Sequence, residues 1–351
     1  MVAFDIFNNN AFSTTSLMAA IEKVPFQPQF LGSLGLFEDM GVLTEGVWIE
    51  ERSGVLNLIQ TSPRGAPLAQ RTTEKRAARG FMTPRLAKAD TIRASEIQGI
   101  RAMGSENELM EAQAEVARRL SGPTGLMAEL EMTNEYHRLG AIQGILLDAD
   151  GSTLYNFFTE FGVSQPTEIA FDLTGANAAG TTVGAPEKLR PFIQQQVVRP
   201  MTRAAQGLLT TASRIIGLCG DSFYDDIRSH GDVRQTYLNQ QAAASLRDGT
   251  AFDQFDYGGV TWVNYRGTDD NSTVAIGVDK VKFFFRNAPG LFKRALSPGE
   301  FFDVVNQKGR PVYPKIIPDN ERQIKVDIEV YSYPLHICTR PATLYSGKRG
   351  S

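Results

Sequence analysis

The sequence predicts an α+β fold in which one long helix is the central element. That helix is expected over about 124–145, and it leads directly into a tight β-hairpin. Helix and strand patterns then follow one another through 180–310, and strand patterns close the chain. Residues 1–47 and much of 48–98 instead lack the regular apolar spacing of a packed core.

The central helix is indicated by apolar residues at steps of three and four. Met132, Tyr136, Leu139, Ile142 and Leu146 are therefore expected on one face. Ser121 or Thr124 is the expected N-cap. After the helix, Asp150-Gly151 lies between two apolar pairs, which is a strong signal for a hairpin.

Two glycines interrupt the end of this helix. Gly140 and Gly144 each cost about 1 kcal/mol relative to alanine within a helix. Either the helix is already ending there, or another backbone approaches closely. The sequence leaves both explanations open.

Composition describes a soluble globular protein of 351 residues, with 42% hydrophobic residues and a net charge of -3. A whole-molecule nucleic-acid binder would normally be basic. The two cysteines, Cys219 and Cys338, predict neither a disulfide framework nor a metal site, so a reducing cytoplasm is expected. The N-terminus does not resemble a signal peptide, and no apolar run reaches the ~18 residues that span a membrane.

The first 47 residues read as an extended arm. Pro25 and Pro28 favour extended backbone, yet Phe26 and Phe30 lie beside them. Large aromatic side chains on an extended segment are expected to pack against something. A strand and helix packed on the arm's own domain is the alternative.

A basic segment follows the predicted strand residues Val47, Ile49 and 55–59, which we expect to turn near Ser53-Gly54. Apolar residues are sparse in it, so it cannot build its own core. Three interpretations stay open: a solvated loop, a nucleic-acid loop, or an arm that docks on an acidic partner. Phe81 alone offers an aromatic stacking surface, which weakens the second. The basic residues are Arg64, Arg71, Lys75, Arg76, Arg79, Arg85 and Lys88.

Acidic residues on two helices could complement this basic segment. A capping box at Ser105 predicts a helix to about 120, ahead of the central helix. If the two surfaces met between subunits, their attraction would mainly steer docking. The acidic positions, all expected on outer faces, are Glu108, Glu111, Glu115, Glu129, Glu131 and Glu135.

Further elements are predicted downstream of a small-residue boundary at 175–184. The expected elements are a helix over 187–209 kinked at Pro200, a buried strand over 215–220, a helix over 221–230, strands over 259–265 and 281–285, and two strands of one final sheet over 324–330 and 335–339.

No catalytic constellation is visible in the sequence. His137, His230 and His336 are expected to be isolated in three separate elements. Asp221, Asp225 and Asp226 could form a two-carboxylate Mg²⁺ site, but an N-cap at Asp221 and a solvated helix face explain them more simply. We therefore expect no enzyme activity, no cofactor and no metal.

Several short runs, all in one order along the chain, resemble a known family. The central helix and hairpin contain EYHRLGAI over 135–142, Gly144, and LDADG over 147–151. Similar runs are FMTPRLAKADTI over 81–92, LCGDSFY over 218–224, PGLF over 289–292, and SYPLHICTRP over 332–341. Together they resemble the tailed-phage major capsid proteins, and within them the phage lambda capsid protein E family.

The resemblance implies the Hong Kong 97-type capsid fold. Its parts would be an N-terminal arm (1–47), an extended loop (48–98), a peripheral domain with the long spine helix (99–179), an axial domain (180–310), and return strands of the peripheral domain (311–351). Such subunits form hexamers and pentamers that close into an icosahedral shell around double-stranded DNA, without sequence-specific binding. The arm and the basic segment would then be buried on neighbouring subunits.

The resemblance also implies binding partners and a location for the protein. A separate scaffold, a portal and, on some shells, a decoration protein are expected, with assembly in the host cytoplasm and a final location in the virion capsid. The proposed intersubunit contacts are Arg71, Lys75, Arg76, Arg79, Arg85, Lys88, Glu129, Glu131, Glu135, Phe26 and Phe30. Two alternatives are an encapsulin-type compartment shell, which shares the fold, and a soluble α/β enzyme, which belongs to another class.

Overall fold

The computed structural model describes residues 29–53, 75–93, 116, 118–173, 188–238, 254–268, 274–319 and 324–350. Within these ranges, helices and strands alternate in an α+β arrangement. None of the helices described there is both long and apolar enough to cross a membrane.

The longest described helix is the predicted spine. It runs over Leu126–Gln143, within the expected range of 124–145. The α-helices are α1 (Phe30–Ser33), α2 (Leu126–Gln143, the spine helix), α3 (Phe157–Glu160), α4 (Leu189–Ile193), α5 (Arg199–Ala205), α6 (Asp221–Ser229) and α7 (Gly231–Leu238). A π-helical turn, Gln194–Val198, joins α4 to α5, and short 3₁₀ turns lie at Phe302–Val304 and Pro341–Thr343.

Strands both precede and follow the spine helix along the chain. They are β1 (Glu38–Gly41), β2 (Gly46–Ser53), β3 (Lys75–Met82), β4 (Leu86–Arg93), β5 (Ile145–Leu147), β6 (Thr153–Asn156), β7 (Ile169–Ala170), β8 (Arg214–Cys219), β9 (Gln254–Tyr257), β10 (Val260–Asn264), β11 (Lys280–Arg286), β12 (Phe292–Leu296), β13 (Tyr313–Pro318), β14 (Lys325–Ser332), β15 (Pro334–Cys338) and β16 (Tyr345–Lys348).

A six-stranded sheet, in the order β7-β16-β11-β8-β10-β9, holds much of the main core. Its strand β8 pairs with β10 in parallel and with β11 in antiparallel. Because β8 is covered on both faces, its residues from Ile215 to Cys219 are all buried. Trp262 and Phe283 pack beside it with ring centroids 5.5 Å apart.

The remaining strands form smaller sheets. One three-stranded sheet has the order β1-β12-β15, and another has the order β13-β14-β4. β2 pairs with β3 to form a two-stranded ribbon, and β5 pairs with β6 to form the predicted hairpin. Gly54 of the predicted turn and the predicted strand residues 55–59 lie outside the described residues, and the described partner of β2 is β3.

The spine helix joins two hydrophobic cores. Its second half, with Leu139 and Ile142, belongs to the main core that also contains Trp262. Its first half, with Leu126 and Leu130, packs in a smaller core on the β13-β14-β4 sheet. One rod therefore fixes the position of two sheets relative to each other.

Both explanations of the two glycines are confirmed, one at each position. Gly144 caps the spine helix with φ of 83°, a conformation that glycine adopts without steric cost. At Gly140 a Cβ would lie 3.0 Å from the carbonyl oxygen of Ile145, so another backbone does approach closely there.

Other details of the predicted spine helix were wrong. The N-cap is Gly125, which makes no side-chain cap bond, and neither Ser121 nor Thr124 has that role. Met132 was expected on the buried face, but its side chain is exposed. Of the helix predicted before the spine, the described residues 116 and 118–120 are helical, and its capping box lies outside the described residues.

The later elements are largely as expected, with three corrections. The helix over 189–205 is interrupted by the π-turn 194–198, just before Pro200, because proline cannot supply the N–H of a regular helical bond. Asp221 is the first residue of α6, and the N-cap is Gly220. The two final predicted strands, β14 and β15, lie in different sheets.

Two pairings also cross the predicted segment boundaries. β12, from the 180–310 segment, pairs with β1 and β15. β16, from the 311–351 segment, pairs with β11 in the six-stranded sheet.

Candidate assembly surface

The β2–β3 ribbon is anchored to the body of the subunit at its base. Val47 and Phe81 are buried there. Phe81 packs on the rings of Tyr155, Phe157 and Phe161, with centroids 5.5–6.3 Å apart. The Tyr155 hydroxyl donates to the carbonyl oxygen of Met82 and accepts from its amide, both at 2.9 Å. The inner face of the ribbon base is thus part of the fold.

The ribbon continues away from this anchor to the pair Ser53–Lys75. An isolated two-stranded hairpin is at best marginally stable in water, so a ribbon of this kind gains from packing on another surface. Lys75 and Arg76 lie on its outer part, opposite Ser53 and Arg52. Arg71 and Phe26, two other proposed contacts, lie outside the described residues.

Arg79 and Arg85 contact their own chain. The Arg79 guanidinium donates to the carbonyl oxygen of Phe161 at 3.3 Å and lies 5.4 Å from the centroid of that ring. Arg85 donates to Glu300 at 2.7 Å and lies over the ring of Tyr331. The Glu300 carboxylate raises the pKa of Arg85.

Lys88 reaches the acidic start of the spine helix within the same chain. Its Nζ lies 2.5 Å from a carboxylate oxygen of Glu129, and both side chains are exposed. Nearby, Arg119 binds Asp90 at 3.2 Å and also donates to the carbonyl oxygen of Thr91. Part of the expected attraction between basic and acidic segments therefore occurs inside one subunit.

Glu135 was predicted on an outer face, and that was wrong. Its side chain is 0% exposed. The carboxylate accepts the amides of Leu31 at 2.7 Å and Gly32 at 3.0 Å, and Arg138 lies 3.2 Å away. Burial raises the pKa of Glu135, while these donors and Arg138 act in the opposite direction. Glu135 therefore fixes α1 onto the spine helix.

Two other predicted contacts border this cluster. Glu131, partly exposed, binds the same Nη1 of Arg138 as Glu135, at 2.6 Å. Phe30 packs edge-on against Tyr265, with ring centroids 6.3 Å apart, and is half-buried at the margin of the main core.

The histidines are not all isolated from one another. His137 on the spine helix and His336 on β15 are both buried, with ring centroids 6.3 Å apart. Phe37 meets His336 edge-on at 5.0 Å. Burial lowers the pKa of His137 to about 4 and that of His336 well below its ordinary value. Sequence reasoning missed this pair because about 200 residues separate its members.

One of the three acidic candidates of α6, Asp226, is engaged in an ion pair. Asp226 binds Arg349 at 2.7 Å, and Arg349 also binds Asp279 at 2.9 Å. Across the described ranges, no group of three or more histidine, cysteine, aspartate or glutamate side chains is arranged to hold a metal. Cys219 and Cys338 are buried, and burial raises the pKa of both thiols.

The model of one protein family matches nearly the whole of this chain. The sequence model of that family, described as phage major capsid protein E, matches residues 13–349. The chain belongs to the phage major capsid protein E family.

A curated relative supports the same assignment. The major capsid protein of Salmonella phage Felix O1 is 25% identical to this capsid-family chain, and the alignment covers 95% of each. Another major capsid protein, from Pseudomonas phage KPP10, is 25% identical and covers 87% of this chain and 88% of its own.

Solved structures confirm the expected fold. The crystal structure of a putative capsid protein of an E. coli prophage matches 96% of this chain and 98% of its own, with a TM-score of 0.53 and 14% identity. The α+β, Hong Kong 97-type fold that the resemblance implied is thus confirmed. The family result favours a phage shell protein over an encapsulin compartment or a soluble α/β enzyme.

Proposed function

We propose that copies of this chain assemble as hexamers and pentamers into the icosahedral head shell of a tailed phage, which encloses the double-stranded DNA genome. Family membership and fold support a structural, shell-forming role in the virion capsid. The protein then acts through assembly and not through turnover, and requires no cofactor.

The observation that carries this proposal is the ribbon anchored at one end. Its base is packed into the subunit, whereas its outer part continues to the pair Ser53–Lys75. In a shell, the neighbouring subunit supplies the surface that a two-stranded ribbon needs. Many copies of a modest contact then add up to a stable particle, because rings close where a heterologous contact repeats through a suitable rotation.

Contacts within the chain reduce the number of residues that we propose to contact a neighbouring subunit. Arg79, Arg85 and Lys88 have partners within the chain, and Glu135 is buried in the fold. Lys75 and Arg76 of the outer ribbon, together with Arg71, which lies outside the described residues, are the basic residues that we propose to reach a neighbour. Glu129 and Glu131, both partly exposed, are candidate acceptors, and Phe26 and Phe30 of the arm are candidate apolar contacts.

The proposed partners follow from the same role. A scaffold and a portal would guide assembly in the host cytoplasm, and a decoration protein would bind the finished outer surface. The net charge of -3 suits a shell that encloses DNA without gripping it through its wall.

Electron microscopy of the overproduced protein, alone and with its scaffold, tests the proposal. The wild type should form closed shells. The variant R71E/K75E/R76E should give soluble subunits or small oligomers. The three reversals change the charge by six units in total, so the negatively charged ribbon would repel the acidic surface of its neighbour. The charge-conserving variant R71K/K75R/R76K should still form shells.

Normal shells from the charge-reversed variant would remove the basic contact but leave the shell function intact. A wild type that stays monomeric with its scaffold under all conditions would contradict the shell function itself.

A further inference from the structure

Basic side chains at one end of the six-stranded sheet have carboxylate partners within the subunit. Strand β11 begins at this end with Lys280, whose Nζ lies 2.7 Å from Glu168. Beside it, Arg349 binds Asp279 at 2.9 Å and also binds Asp226 on α6. The positive charges at this end are therefore largely neutralised inside the subunit.

The opposite end of the sheet carries arginines without such partners. Arg286 ends β11 and lies directly opposite Arg214, the first residue of β8. Both side chains are exposed. Among the described residues, no carboxylate forms an ion pair with either arginine. Two like charges directly opposite each other destabilise an antiparallel pair of strands, so this pair adds nothing to the stability of the sheet.

Helix α5 adds a second pair of the same kind. Arg199 and Arg203 are four positions apart, so they lie on one side of the helix, where both are exposed and repel each other. The connection from α5 to β8, residues 206–213, contains no charged residue. In it, the hydroxyl of Ser213 donates to the carbonyl oxygen of Asn287, in the turn after β11, at 2.8 Å. Both pairs of arginines therefore border one short connection. We call Arg199, Arg203, Arg214 and Arg286 the arginine patch.

Carboxylates on the neighbouring elements have other partners. Glu38 of β1 accepts a backbone amide in the turn after β11 at 2.9 Å. Asp256 on β9 accepts the hydroxyl of Thr261, and Asp232 on α7 accepts the amide of Leu189 at 2.8 Å. The arginine patch is thus left with a net positive charge on the surface of the subunit.

The surroundings of the arginine patch favour a phosphate backbone as its partner. The segments 188–214 and 280–297 contain ten basic residues and no acidic one. Exposed glutamine and threonine side chains, which also donate hydrogen bonds to phosphate oxygens, flank the helical pair. These side chains are Gln195, Gln196, Thr202 and Gln206.

A protein partner would require a different kind of surface. Protein interfaces depend on large side chains, mainly aromatic, that are buried at the centre of the contact. Within the described ranges, none of the large exposed apolar side chains lies in 188–214 or 280–297. The patch therefore offers charge and hydrogen-bond donors, but no apolar anchor.

The spacing of the arginines also suits duplex DNA. Arg199 and Arg203 are about 6 Å apart along the helix, and opposite residues of antiparallel strands have Cα atoms about 4.5–5.5 Å apart. A duplex carries one negative charge per ~1.7 Å of its axis, so each guanidinium has a phosphate within reach.

We propose that the arginine patch binds the phosphate backbone of duplex DNA, independently of sequence, and that it faces the genome inside the assembled shell. This inference rests on the proposed shell function and adds to it a local contact with DNA. Because the net charge of the whole chain is -3, the contact is confined to the patch and does not extend over the whole wall.

Binding of unassembled subunits to a short fluorescent duplex tests the patch. Fluorescence anisotropy at several NaCl concentrations gives the association constant and its dependence on salt. Four phosphate contacts correspond to a slope of about -3.6 for the logarithm of that constant against the logarithm of salt concentration. The variant R199Q/R203Q/R214Q/R286Q should remove most of this slope, and Arg286→Gln alone should reduce its magnitude by about 1. Duplexes of different sequence should bind equally well.

Two controls separate the patch from charge and from folding. R203Q/R286Q and K308Q/R310Q each remove two exposed positive charges, the second pair from the turn before β13. Only R203Q/R286Q should weaken DNA binding. Arg214 also donates to the carbonyl oxygens of Thr211 and Ser213, so R203Q/R286Q, which keeps those bonds, should leave the urea midpoint of the subunit unchanged.

Thiol labelling tests the position of the patch in the shell. Both native cysteines are buried, so the variant Arg203→Cys adds a reactive thiol to a chain with no exposed one among its described residues. A maleimide carried on a polymer too large to enter closed shells should label this variant in free subunits. In assembled shells the labelling should be at least tenfold slower.

The outcomes separate this inference from the shell function. Equal salt slopes for the wild type and R203Q/R286Q would overturn the patch, and so would a loss of DNA binding in K75Q/R76Q alone, which would assign that binding to the ribbon. Polyglutamate that binds the subunits more tightly than the duplex at the same salt concentration would identify an acidic protein as the partner instead. Equally fast labelling of closed shells would place the patch on the outside. Each of these results leaves the shell function standing, whereas a wild type that forms no shells with its scaffold would contradict that function.

Discussion

Glu135 is a charged side chain that the fold uses inside the subunit. Its two oxygens accept two successive amides at the start of α1, and Arg138 lies beside them. Such a carboxylate is tolerated without solvent because it is both paired and hydrogen-bonded. It joins α1 to the spine helix, and the bonded residues are more than 100 positions apart in the chain.

Replacement of Glu135 by glutamine should therefore destabilise the subunit. The amide group keeps one acceptor oxygen, removes the charge opposite Arg138 and presents an NH₂ group to backbone donors. We expect a loss of about 2–4 kcal/mol in the free energy of unfolding, measured as a shift of the urea midpoint of unassembled subunits.

Glu131→Gln is the matched control, since Glu131 binds the same arginine from a partly exposed position. Such a pair contributes about 1 kcal/mol or less. Equal losses for the two variants would mean that the bonds to α1 contribute little.

At the scale of elements, local sequence patterns predicted the secondary structure of each segment but not always the sheet in which a strand lies. Apolar spacing located the spine helix to within two residues at either end. The two strands β14 and β15 were also predicted correctly, although every residue of β15 is buried instead of alternating. Their assignment to one sheet was wrong, because the strands turn away from each other around Tyr333, and their partners come from β4 and β12. Such distant pairing leaves no local pattern.

The end of the spine helix offers a prediction with a built-in control. Gly144 and Gly151 share a φ of 83°, so an alanine meets the same backbone cost of roughly 1 kcal/mol at both. At Gly144 the new Cβ would also lie 2.4 Å from the ring of Phe158, whereas at Gly151 nothing lies within 4 Å.

Gly144→Ala should therefore destabilise the subunit by about 1–3 kcal/mol more than Gly151→Ala, because the ring of Phe158 must move in a packed core. Thermal unfolding of the two variants beside the wild type measures the difference. Equal melting temperatures would show that the ring of Phe158 moves aside without a loss of stability.

At the scale of the whole molecule, the candidate surface was only partly predictable. The alternating residues around Val47 predicted a strand, yet they did not show that Trp48 faces outward or that Glu135 faces inward. Both orientations depend on contacts between distant segments. That of Trp48 depends on the pairing of β2 with β3, where Trp48 lies opposite Gly80, and that of Glu135 depends on the packing of α1. The buried pair of His137 and His336 is a further product of long-range folding, and it makes stability depend on pH.

The sign of that dependence follows from the direction of the pKa shifts. Burial lowers the pKa of His137 from 6.5 to about 4, so between these values the unfolded chain binds a proton that the folded chain does not. This contribution to stability is complete above about pH 6.5 and is lost as pH falls towards 4. His336 acts in the same direction, and Arg138 and Arg294 add to the cost of charging it. Asp148 opposes the shift at His137.

Glu135 acts with the opposite sign. Its raised pKa means that the folded chain holds that proton more tightly, so acid stabilises the fold through this group. That effect opposes the histidines as the pH falls: it begins as the pH falls through the raised pKa of the folded state and is complete below the ordinary value of 4.5.

Unassembled subunits should accordingly lose about 2 kcal/mol of stability between pH 7.5 and pH 5 through His137 alone, with His336 adding to the loss. Urea unfolding at the two pH values measures this loss.

Among the described residues, neither ring makes a hydrogen bond through its nitrogens. The variant H137L/H336L therefore removes the titration without breaking a hydrogen bond, and it should flatten the dependence of stability on pH. His230→Gln changes a histidine whose Nδ1 accepts the Asp232 amide, away from this pair, and should leave most of the acid sensitivity. An unchanged pH dependence in the double variant would assign the sensitivity to other groups.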